Sequence, residues 1–156
     1  MIEVEIPGYG HLELEHLICD FSGTISVDGK LIPGLKERFR ELAKHLHIHV
    51  ITSDTHGGAE ASLVNVDCDL VILQENDHDV QKESYLRNLN GTQVVAIGNG
   101  NNDARLLKSA RLGICVCLEE GCSVAAMKAA DILARSAEEA LDLLLNPNRL
   151  KATLRY

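Results

Sequence analysis

The sequence is poor in aromatic residues: it has no tryptophan, three tyrosines and two phenylalanines, which together make up 3% of the chain. A hydrophobic core must therefore be filled mainly by Leu, Val, Ile and Ala. Basic residues are also few, with 15 Lys and Arg against 23 Asp and Glu and a net charge of −8. This balance argues against sequence-independent binding to nucleic acid or to an anionic membrane, and an anionic substrate would need locally placed cations.

The sequence also lacks long apolar runs. None approaches the ~20 residues that cross a bilayer, and the stretch from Met1 to Glu5 has no basic start of a signal peptide. We therefore expect a cytoplasmic protein without membrane partners. With 156 residues, of which 46% are hydrophobic and 24% charged, the composition fits a single globular domain, residues 1–156.

Cysteine and histidine spacing offers two weak metal-site hypotheses. The five cysteines are odd in number and mostly lie in apolar segments, which favours reduced thiols over a disulfide framework. Cys115 and Cys117 do not have the usual zinc spacing, and we interpret the three cysteines from 115 to 122 as packing residues. His45, His47 and His49 alternate across a predicted helix end and strand start, where solvated or capping histidines are common.

Strand-like apolar runs alternate with helix-like periodic segments along the chain. The predicted strands are residues 2–6, 11–15, 17–20, 48–51, 70–73, 94–97, 113–117 and 131–133. The predicted helices are 57–63, 80–89 and 122–130, with further helical segments around Phe39, Leu106 and Leu144 and after Pro147. This alternation requires an α/β fold with a mostly parallel sheet, right-handed crossovers and helices on both faces.

Polar residues follow three of the predicted strands. They are Asp20, Ser22, Gly23 and Thr24 after the first, Thr52 and Ser53 after the second, and Asn99, Asn102 and Asp103 after the third. Because open parallel sheets bind ligands at the carboxyl ends of their strands, we expect these residues to lie together. Lys82, near the start of the helix at 80–89, can reach the same edge.

This set of residues is suited to phosphoryl transfer, in which a protein positions a phosphoryl group and neutralises its charge. Asp20 would attack the phosphorus. Asp20 and Asp103 would hold Mg²⁺ with an oxygen from Asn99 or from the Ser22 backbone, since this ion prefers oxygen ligands and keeps some of its water. The predicted phosphate-binding residues are Ser22, Gly23, Thr24, Thr52, Ser53, Lys82 and Asn102.

In these motifs and in their order, the chain resembles the haloacid dehalogenase superfamily of phosphohydrolases, and most of all the soluble relatives of P-type ATPases. Those ATPases carry Asp-Lys-Thr-Gly-Thr, Thr-Gly-Asp, a lysine and Gly-Asp-Gly-x-Asn-Asp. The corresponding segments here are residues 20–24, 52–54, Lys82 and 98–103. The resemblance implies a Rossmann-like fold, a phosphorylated substrate, Mg²⁺ as cofactor and an aspartyl phosphate on Asp20.

The resemblance also implies how the site is covered. A hairpin flap within residues 24–32 should follow Asp20, and the Asp28-Gly29 pair is a strong signal for its tight turn. Both positions at which the superfamily inserts a cap domain are short, between Asp20 and Thr52 and between Asp54 and Lys82. We therefore expect a capless member that gains selectivity from a neighbouring subunit, as a homo-oligomer.

Two residues depart from the pattern of the superfamily. Ser22 stands where typical phosphatases have an aspartate that protonates the leaving group, and loss of acid catalysis forfeits ~10²–10⁴ in rate. Asn99 stands where a metal-binding aspartate is expected, which should weaken Mg²⁺ binding. A slow phosphatase suited to acyl, aryl or anhydride phosphates is the leading hypothesis for this chain.

Two alternatives stay open. One is a phosphate- and Mg²⁺-binding regulatory or assembly protein whose turnover has decayed. The other is a response-regulator receiver phosphorylated on Asp54, which fits the strand-then-Asp pattern but lacks an acidic pair after the first strand and a lysine at the end of a late strand.

Overall fold

The computed structural model describes residues 1–54 and 57–156, and within them ten strands and seven α-helices follow one another. The strands are β1 (Ile2–Ile6), β2 (Gly10–Leu14), β3 (His16–Asp20), β4 (Ser26–Val27), β5 (Lys30–Leu31), β6 (His47–Thr52), β7 (Asp69–Ile72), β8 (Val94–Gly98), β9 (Leu112–Val116) and β10 (Ile132–Ala134). The helices are α1 (Leu35–Leu42), α2 (Gly58–Ser62), α3 (His78–Asn88), α4 (Ala104–Ser109), α5 (Val124–Ala129), α6 (Ala137–Leu145) and α7 (Pro147–Leu154).

Six strands form one sheet in the order β10-β9-β8-β3-β6-β7, and every neighbouring pair is parallel. The strand β3 lies between β8 and β6, so its carboxyl end has a strand end on each side. The predicted α/β fold with a mostly parallel sheet is confirmed. A separate antiparallel hairpin, β1 with β2, packs outside this sheet.

Both faces of the sheet are covered by helices because β3 is apolar on both sides. Leu17 and Cys19 belong to the core under α1, α6 and the β1–β2 hairpin. Ile18, between them, belongs to the opposite core with residues of α3, α4 and α5. All three side chains are fully buried, and each such apolar side chain contributes about 1.5–3 kcal/mol by leaving water.

The flap contains the two short strands β4 and β5, paired antiparallel. Asp28 and Gly29 form its turn with positive φ angles of 50° and 74°, as a two-residue type I′ hairpin requires. The predicted hairpin is therefore confirmed. The flap is the only insertion between β3 and α1, and the described residues between β6 and α3 contribute just α2 and β7, so no separate cap domain is present there.

The helices α2, α3 and α5 begin and end within two residues of the predicted bounds. Leu35, Phe39 and Leu42 form the buried stripe of α1, and this helix ends at Leu42. Leu46 is still buried, because the chain turns directly from the helix end into β6. Within residues 1–54 and 57–156, the structure contains no helix that is long and apolar enough to cross a membrane.

The histidines near the start of β6 do not share one environment. His45 and His47 are exposed, whereas His49 is buried. The rings of His49 and His16 are joined by a 3.0 Å contact between Nε2 and Nδ1, and His49 Nδ1 lies 2.9 Å from the Tyr85 hydroxyl. The interpretation of these histidines as solvated or capping residues is therefore wrong for His49, which fills a core position on its strand.

Burial lowers the pKa of His49 below its ordinary value, and the neighbouring His16 acts in the same direction, while Asp69 opposes them. The unfolded chain should then bind a proton at pH values where the folded protein leaves His49 neutral. Stability should consequently be lost as the pH falls below about 6.5, the ordinary pKa of histidine. The folded state is favoured by this group only above that range.

We expect His49→Gln to reduce the loss of stability between about pH 7.5 and about pH 5.5, because glutamine keeps a hydrogen-bonding group but cannot take up a proton. Urea unfolding at a series of pH values measures the effect. His45→Gln, at an exposed position just before β6, should keep the wild-type slope. Identical slopes for the wild-type protein and His49→Gln would contradict the prediction.

Candidate active site

The carboxyl ends of three neighbouring strands bring the predicted site residues to one edge of the sheet. Asp20 is the last residue of β3, Thr52 is the last of β6, and Asn99 follows the end of β8. Since β3 pairs with both of the other strands, these ends lie side by side. Asp20 is 6% exposed and occupies the central position of the three.

The turn after Asp20 is shaped by a single carbonyl. The carbonyl oxygen of Phe21 accepts hydrogen bonds from the Ile25 amide, the Ser26 amide and the Ser26 hydroxyl at 3.1, 3.0 and 2.9 Å. Gly23 lies within this turn at φ +71°, and a Cβ there would be 2.5 Å from Asn99 Nδ2. Only glycine fits both the left-handed backbone and the close approach of Asn99.

The ammonium of Lys82 lies between two carboxylates. Its Nζ donates to Asp20 Oδ1 at 2.6 Å and to Asp103 Oδ1 at 2.7 Å. Lys82 is 1% exposed, and on α3 it shares the buried face with Leu86, four residues later. A lysine in a core position of this kind is stable only when its charge is paired.

Backbone amides hold Asp103 in place. Its Oδ2 accepts from the amides of Asn99 and Gly100 at 3.0 and 2.9 Å. Gly98 permits this arrangement, because a Cβ there would lie 2.5 Å from the Asp103 carboxyl carbon. Both Asp103 oxygens are thus hydrogen-bonded, and this fully buried side chain fixes the position of Lys82.

The electrostatics of the cluster follow from its burial. Burial is the largest cause that raises the pKa of Asp20, and the nearby Asp103 raises it further. The pKa is about 7, although Lys82 and Thr24 lower it. Burial opposes the charge on Lys82, but the attractions of Asp20 and Asp103 outweigh it and raise the pKa of the ammonium. With all three groups ionised, two negative charges face one positive charge, which leaves a net charge of −1 beside the strand ends.

The oxygens near Thr24 have the chemistry of a hard-cation site. The Thr24 hydroxyl lies 3.1 Å from Asp20 Oδ2 and 3.1 Å from Asn99 Oδ1. A hydroxyl has one hydrogen, so it can donate to only one of these oxygens at a time. A divalent cation that prefers oxygen ligands would satisfy both, and the residues present therefore fit Mg²⁺.

The charge available to such a cation is small. In the described part of the chain, no three Asp, Glu, His or Cys side chains converge as a metal-binding group. The donors at this edge are the carboxylate of Asp20, the amide oxygen of Asn99 and the remaining lone pairs of Asp103. Asn99 is oriented by its own Nδ2, which donates to the Gly121 carbonyl at 3.1 Å.

The predicted site residues do not all contact one another. Five residues are joined by direct contacts: Asp20, Thr24, Lys82, Asn99 and Asp103. Ser22 and Ser53 are exposed, and Asn102 is half-buried. Thr52 is buried, and its hydroxyl accepts from the Asp54 amide at 3.0 Å.

Asp54, the residue of the receiver alternative, is engaged elsewhere. Its Oδ2 accepts from the Ala59 amide at 2.9 Å, in the first turn of α2. The carboxylate of Asp20 contacts a buried lysine, which Asp103 also contacts. The geometry of the site therefore favours Asp20 over Asp54 as the reactive carboxylate.

Sequence reasoning missed Glu120, which lies in the turn of residues 118–121 between β9 and α5. Its Oε1 accepts from the Asp28 amide in the flap at 3.1 Å, and its Oε2 lies 2.9 Å from the position of a Cβ on Gly23. The sequence shows only an acidic pair, Glu119-Glu120, which is typical of a solvated turn. No local signal identifies this contact, because it joins residues 92 positions apart.

Two known proteins are similar in sequence to parts of this chain. No model of a known protein family matches the chain. Over 63 residues it is 56% identical to an uncharacterised protein of Methanocaldococcus jannaschii, a match that covers 40% of this chain and 68% of that protein. Over 96 residues it is 36% identical to a probable copper-exporting P-type ATPase of Archaeoglobus fulgidus. That match covers 60% of this chain but only 12% of the ATPase.

Solved structures match nearly the whole chain. A hydrolase of the haloacid dehalogenase superfamily from Legionella pneumophila has a TM-score of 0.68 at 16% identity, with 90% of this chain and 87% of that chain covered. The chain therefore has the fold of the haloacid dehalogenase superfamily. The predicted resemblance is thus confirmed, and at this level of identity the likeness establishes the fold.

Two sugar-phosphate phosphatases share this haloacid dehalogenase fold. The cobalt-bound deoxy-D-mannose-octulosonate 8-phosphate phosphatase of Haemophilus influenzae has a TM-score of 0.72 at 10% identity, covering 92% of this chain and 94% of that one. The corresponding enzyme of Moraxella catarrhalis, solved with magnesium, phosphate and its sugar, has a TM-score of 0.68 at 14% identity, covering 91% and 94%. Both of these related folds therefore carry a divalent metal.

We expect Lys82→Met to destabilise the protein by about 3–5 kcal/mol near neutral pH, because two buried carboxylates lose their counter-ion. The penalty should shrink near pH 5, because the raised pKa of Asp20 lets this carboxylate take up a proton there. Lys108→Met, at an exposed position on α4, serves as the control and should change stability little. A penalty for Lys82→Met that stayed the same across this pH range would show that the carboxylates do not depend on the lysine charge.

We expect Asn99→Asp to tighten Mg²⁺ binding on the order of tenfold, which corresponds to about 1.4 kcal/mol. The added carboxylate would raise the negative charge facing the cation beside Asp20. Isothermal titration calorimetry measures the affinity. Asn101→Asp, an exposed position in the same turn, adds the same charge away from the cluster and should change the affinity much less. Equal gains in the two variants would place Asn99 outside the metal shell.

Proposed function

We propose that this chain is a Mg²⁺-dependent phosphohydrolase that acts through an aspartyl phosphate on Asp20. The observation that carries the proposal is the buried contact of Asp20 with Lys82, which Asp103 holds in place at the carboxyl ends of the strands. A charged cluster of this kind is costly to bury. Perturbed carboxylates in such a position are characteristic of catalytic sites.

In the proposed reaction, a carboxylate oxygen of Asp20 attacks phosphorus while the bond from phosphorus to the leaving oxygen breaks. Thr24 orients one Asp20 oxygen, and Lys82 offsets the negative charge that gathers on the phosphoryl oxygens. Water then hydrolyses the aspartyl phosphate and regenerates the carboxylate. A Mg²⁺ ion held by Asp20 and Asn99, with Asp103 near it, would supply further charge neutralisation when bound.

Phosphate binding is proposed for the hydroxyls and amides around this cluster. Ser22 and Ser53 are exposed and so are accessible to a substrate. The tight turn at Gly23 and the buried hydroxyl of Thr52 lie at the adjacent strand ends. Asn102 is half-buried in the turn after β8. Hydroxyls and backbone amides of this kind bind anions at close range.

The leaving group is limited by Ser22, because a hydroxyl of very high pKa cannot protonate it. We therefore propose acyl, aryl or anhydride phosphates as the substrate class. A cleft of about 590 Å³ between the flap and the ends of β9 and β10 is lined by Lys30 and Arg135 but also by Glu119 and Glu138, and none of the predicted site residues lines it.

The domain organisation, cellular location and oligomeric state of the protein are further proposals. We propose that residues 1–156 act as one cytoplasmic domain in a homo-oligomer, since no cap domain covers the site in the described residues. Light scattering across a dilution series measures the subunit number.

A phosphate- and Mg²⁺-binding regulatory protein is the second candidate, favoured by the neutral side chains of Ser22 and Asn99. Turnover that depends on Asp20 distinguishes the two functions.

We expect Asp20→Asn to abolish phosphatase activity and any acid-stable phosphoenzyme, because an amide is a very poor nucleophile. The purified variant is assayed with a panel of phosphate esters and Mg²⁺, and its fold is checked by circular dichroism. Asp67→Asn, an exposed aspartate distant in sequence from the motifs, should keep wild-type turnover. Wild-type activity in a well-folded Asp20→Asn protein would rule out the covalent mechanism.

We expect Ser22→Asp to raise turnover of alkyl phosphates by about tenfold or more, because the new carboxyl group can protonate a poor leaving group. The gain should be smaller for aryl phosphates, which leave without protonation. The comparison is made at saturating Mg²⁺, which offsets the repulsion between the new carboxylate and Asp20. Ser22→Asn introduces a side chain of the same size as aspartate but without an ionisable group, so it should give no gain in turnover. An equal response of both substrate classes would mean that residue 22 does not occupy the acid/base position.

A further inference from the structure

The chain reverses direction immediately after β9. The turn of residues 118–121 is closed by a hydrogen bond from the Gly121 amide to the Leu118 carbonyl at 2.9 Å, and these two residues form an antiparallel bridge. The next cross-strand pair outward is therefore Cys117 opposite Cys122. In an antiparallel pair, the position next to a hydrogen-bonded pair has its Cα atoms about 4.5 Å apart. That spacing lies within the range that a disulfide spans.

Three cysteines lie at or beside this turn, namely Cys115, Cys117 and Cys122. The neighbouring Cys117 thiol, and then burial, raise the pKa of the Cys122 thiol. All three are free thiols, and their exposure decreases from Cys117, which is exposed, through Cys122 to Cys115, which is buried. An oxidant in solution therefore reaches Cys117 first, and Cys122 is the neighbouring thiol that can displace the oxidised leaving group.

The turn between the two thiols also contacts the candidate active site. Glu120 binds the flap through the Asp28 amide at 3.1 Å. The Gly121 carbonyl accepts from the side-chain amide of Asn99 at 3.1 Å. A covalent bond at the base of this turn would restrain the segment that orients Asn99 and holds the flap. Packing alone, the role expected for these cysteines from sequence, does not describe the exposed Cys117.

We propose that Cys117 and Cys122 are a redox-active pair that forms a reversible intramolecular disulfide at the base of the 118–121 turn. The oxidant is a peroxide or a small disulfide such as oxidised glutathione. With hydrogen peroxide, the two thiols together lose two protons and two electrons, the S–S bond forms, and the O–O bond breaks to give two molecules of water. A dithiol reductant restores both thiols by exchange. The proposal does not depend on the hydrolase activity.

The test uses the full chain treated with oxidised glutathione or hydrogen peroxide, followed by alkylation of the remaining thiols and mass spectrometry. We expect two of the five cysteines to become protected from alkylation, and dithiothreitol to restore them. Cleavage after Glu119 and Glu120 separates Cys117 from Cys122, so the linked peptides are seen directly. The oxidised protein should remain a species of unchanged subunit mass under denaturing, non-reducing conditions.

Single variants assign the bond. Cys117→Ala and Cys122→Ala should lose the protected pair, whereas Cys115→Ala and Cys68→Ala should keep it. If any variant folds poorly, the peptide map of the wild-type protein still identifies the linked cysteines directly. Pairing of Cys115 with Cys122, linkage between chains, or full alkylation of all the cysteines after oxidation would each overturn the proposal.

Discussion

The ion pairs of Lys82 are the interactions on which the rest of the site depends. A buried ammonium lies 2.6 Å from Asp20 and 2.7 Å from Asp103, and each carboxylate comes from a different part of the chain. Removing the lysine charge would leave two carboxylates uncompensated in a region nearly without solvent, whereas removing one carboxylate would leave a neutral pair. The cluster therefore connects α3 to the ends of β3 and β8, and it holds Asp20 at the carboxyl ends of the strands.

Two glycines allow the polar groups to come this close. Gly98 leaves room for the carboxyl group of Asp103 against the end of β8, and Gly23 leaves room for the amide of Asn99. A side chain at either position would push apart groups whose attraction falls with distance. The turns after β3 and β8 thus pack closely because Gly23 and Gly98 have no side chains. This close packing sets the distances between the polar and charged groups of the site.

The charge balance explains the character of the proposed chemistry. With its three groups ionised, the cluster has one negative charge in excess, and Asn99 and Ser22 contribute none where the predicted motifs of the superfamily have carboxylates. In the proposed reaction, a cation would therefore be attracted less strongly, and a leaving group would not be protonated. The 118–121 turn, which binds Asn99 and the flap, adds a connection between this site and a pair of thiols.

The sequence by itself determined the alternation of strands and helices, the Asp28-Gly29 turn and the strand ends that carry Asp20 and Asn99, because these follow from local periodicity and backbone preference. Only the tertiary structure decided which polar side chains are buried. Lys82 and His49 have ordinary local surroundings, and they are buried because their partners arrive from 62 and 33 positions away along the chain. The contact of Glu120 with the flap also depends on long-range packing. No pattern of neighbouring residues in the sequence indicates this contact.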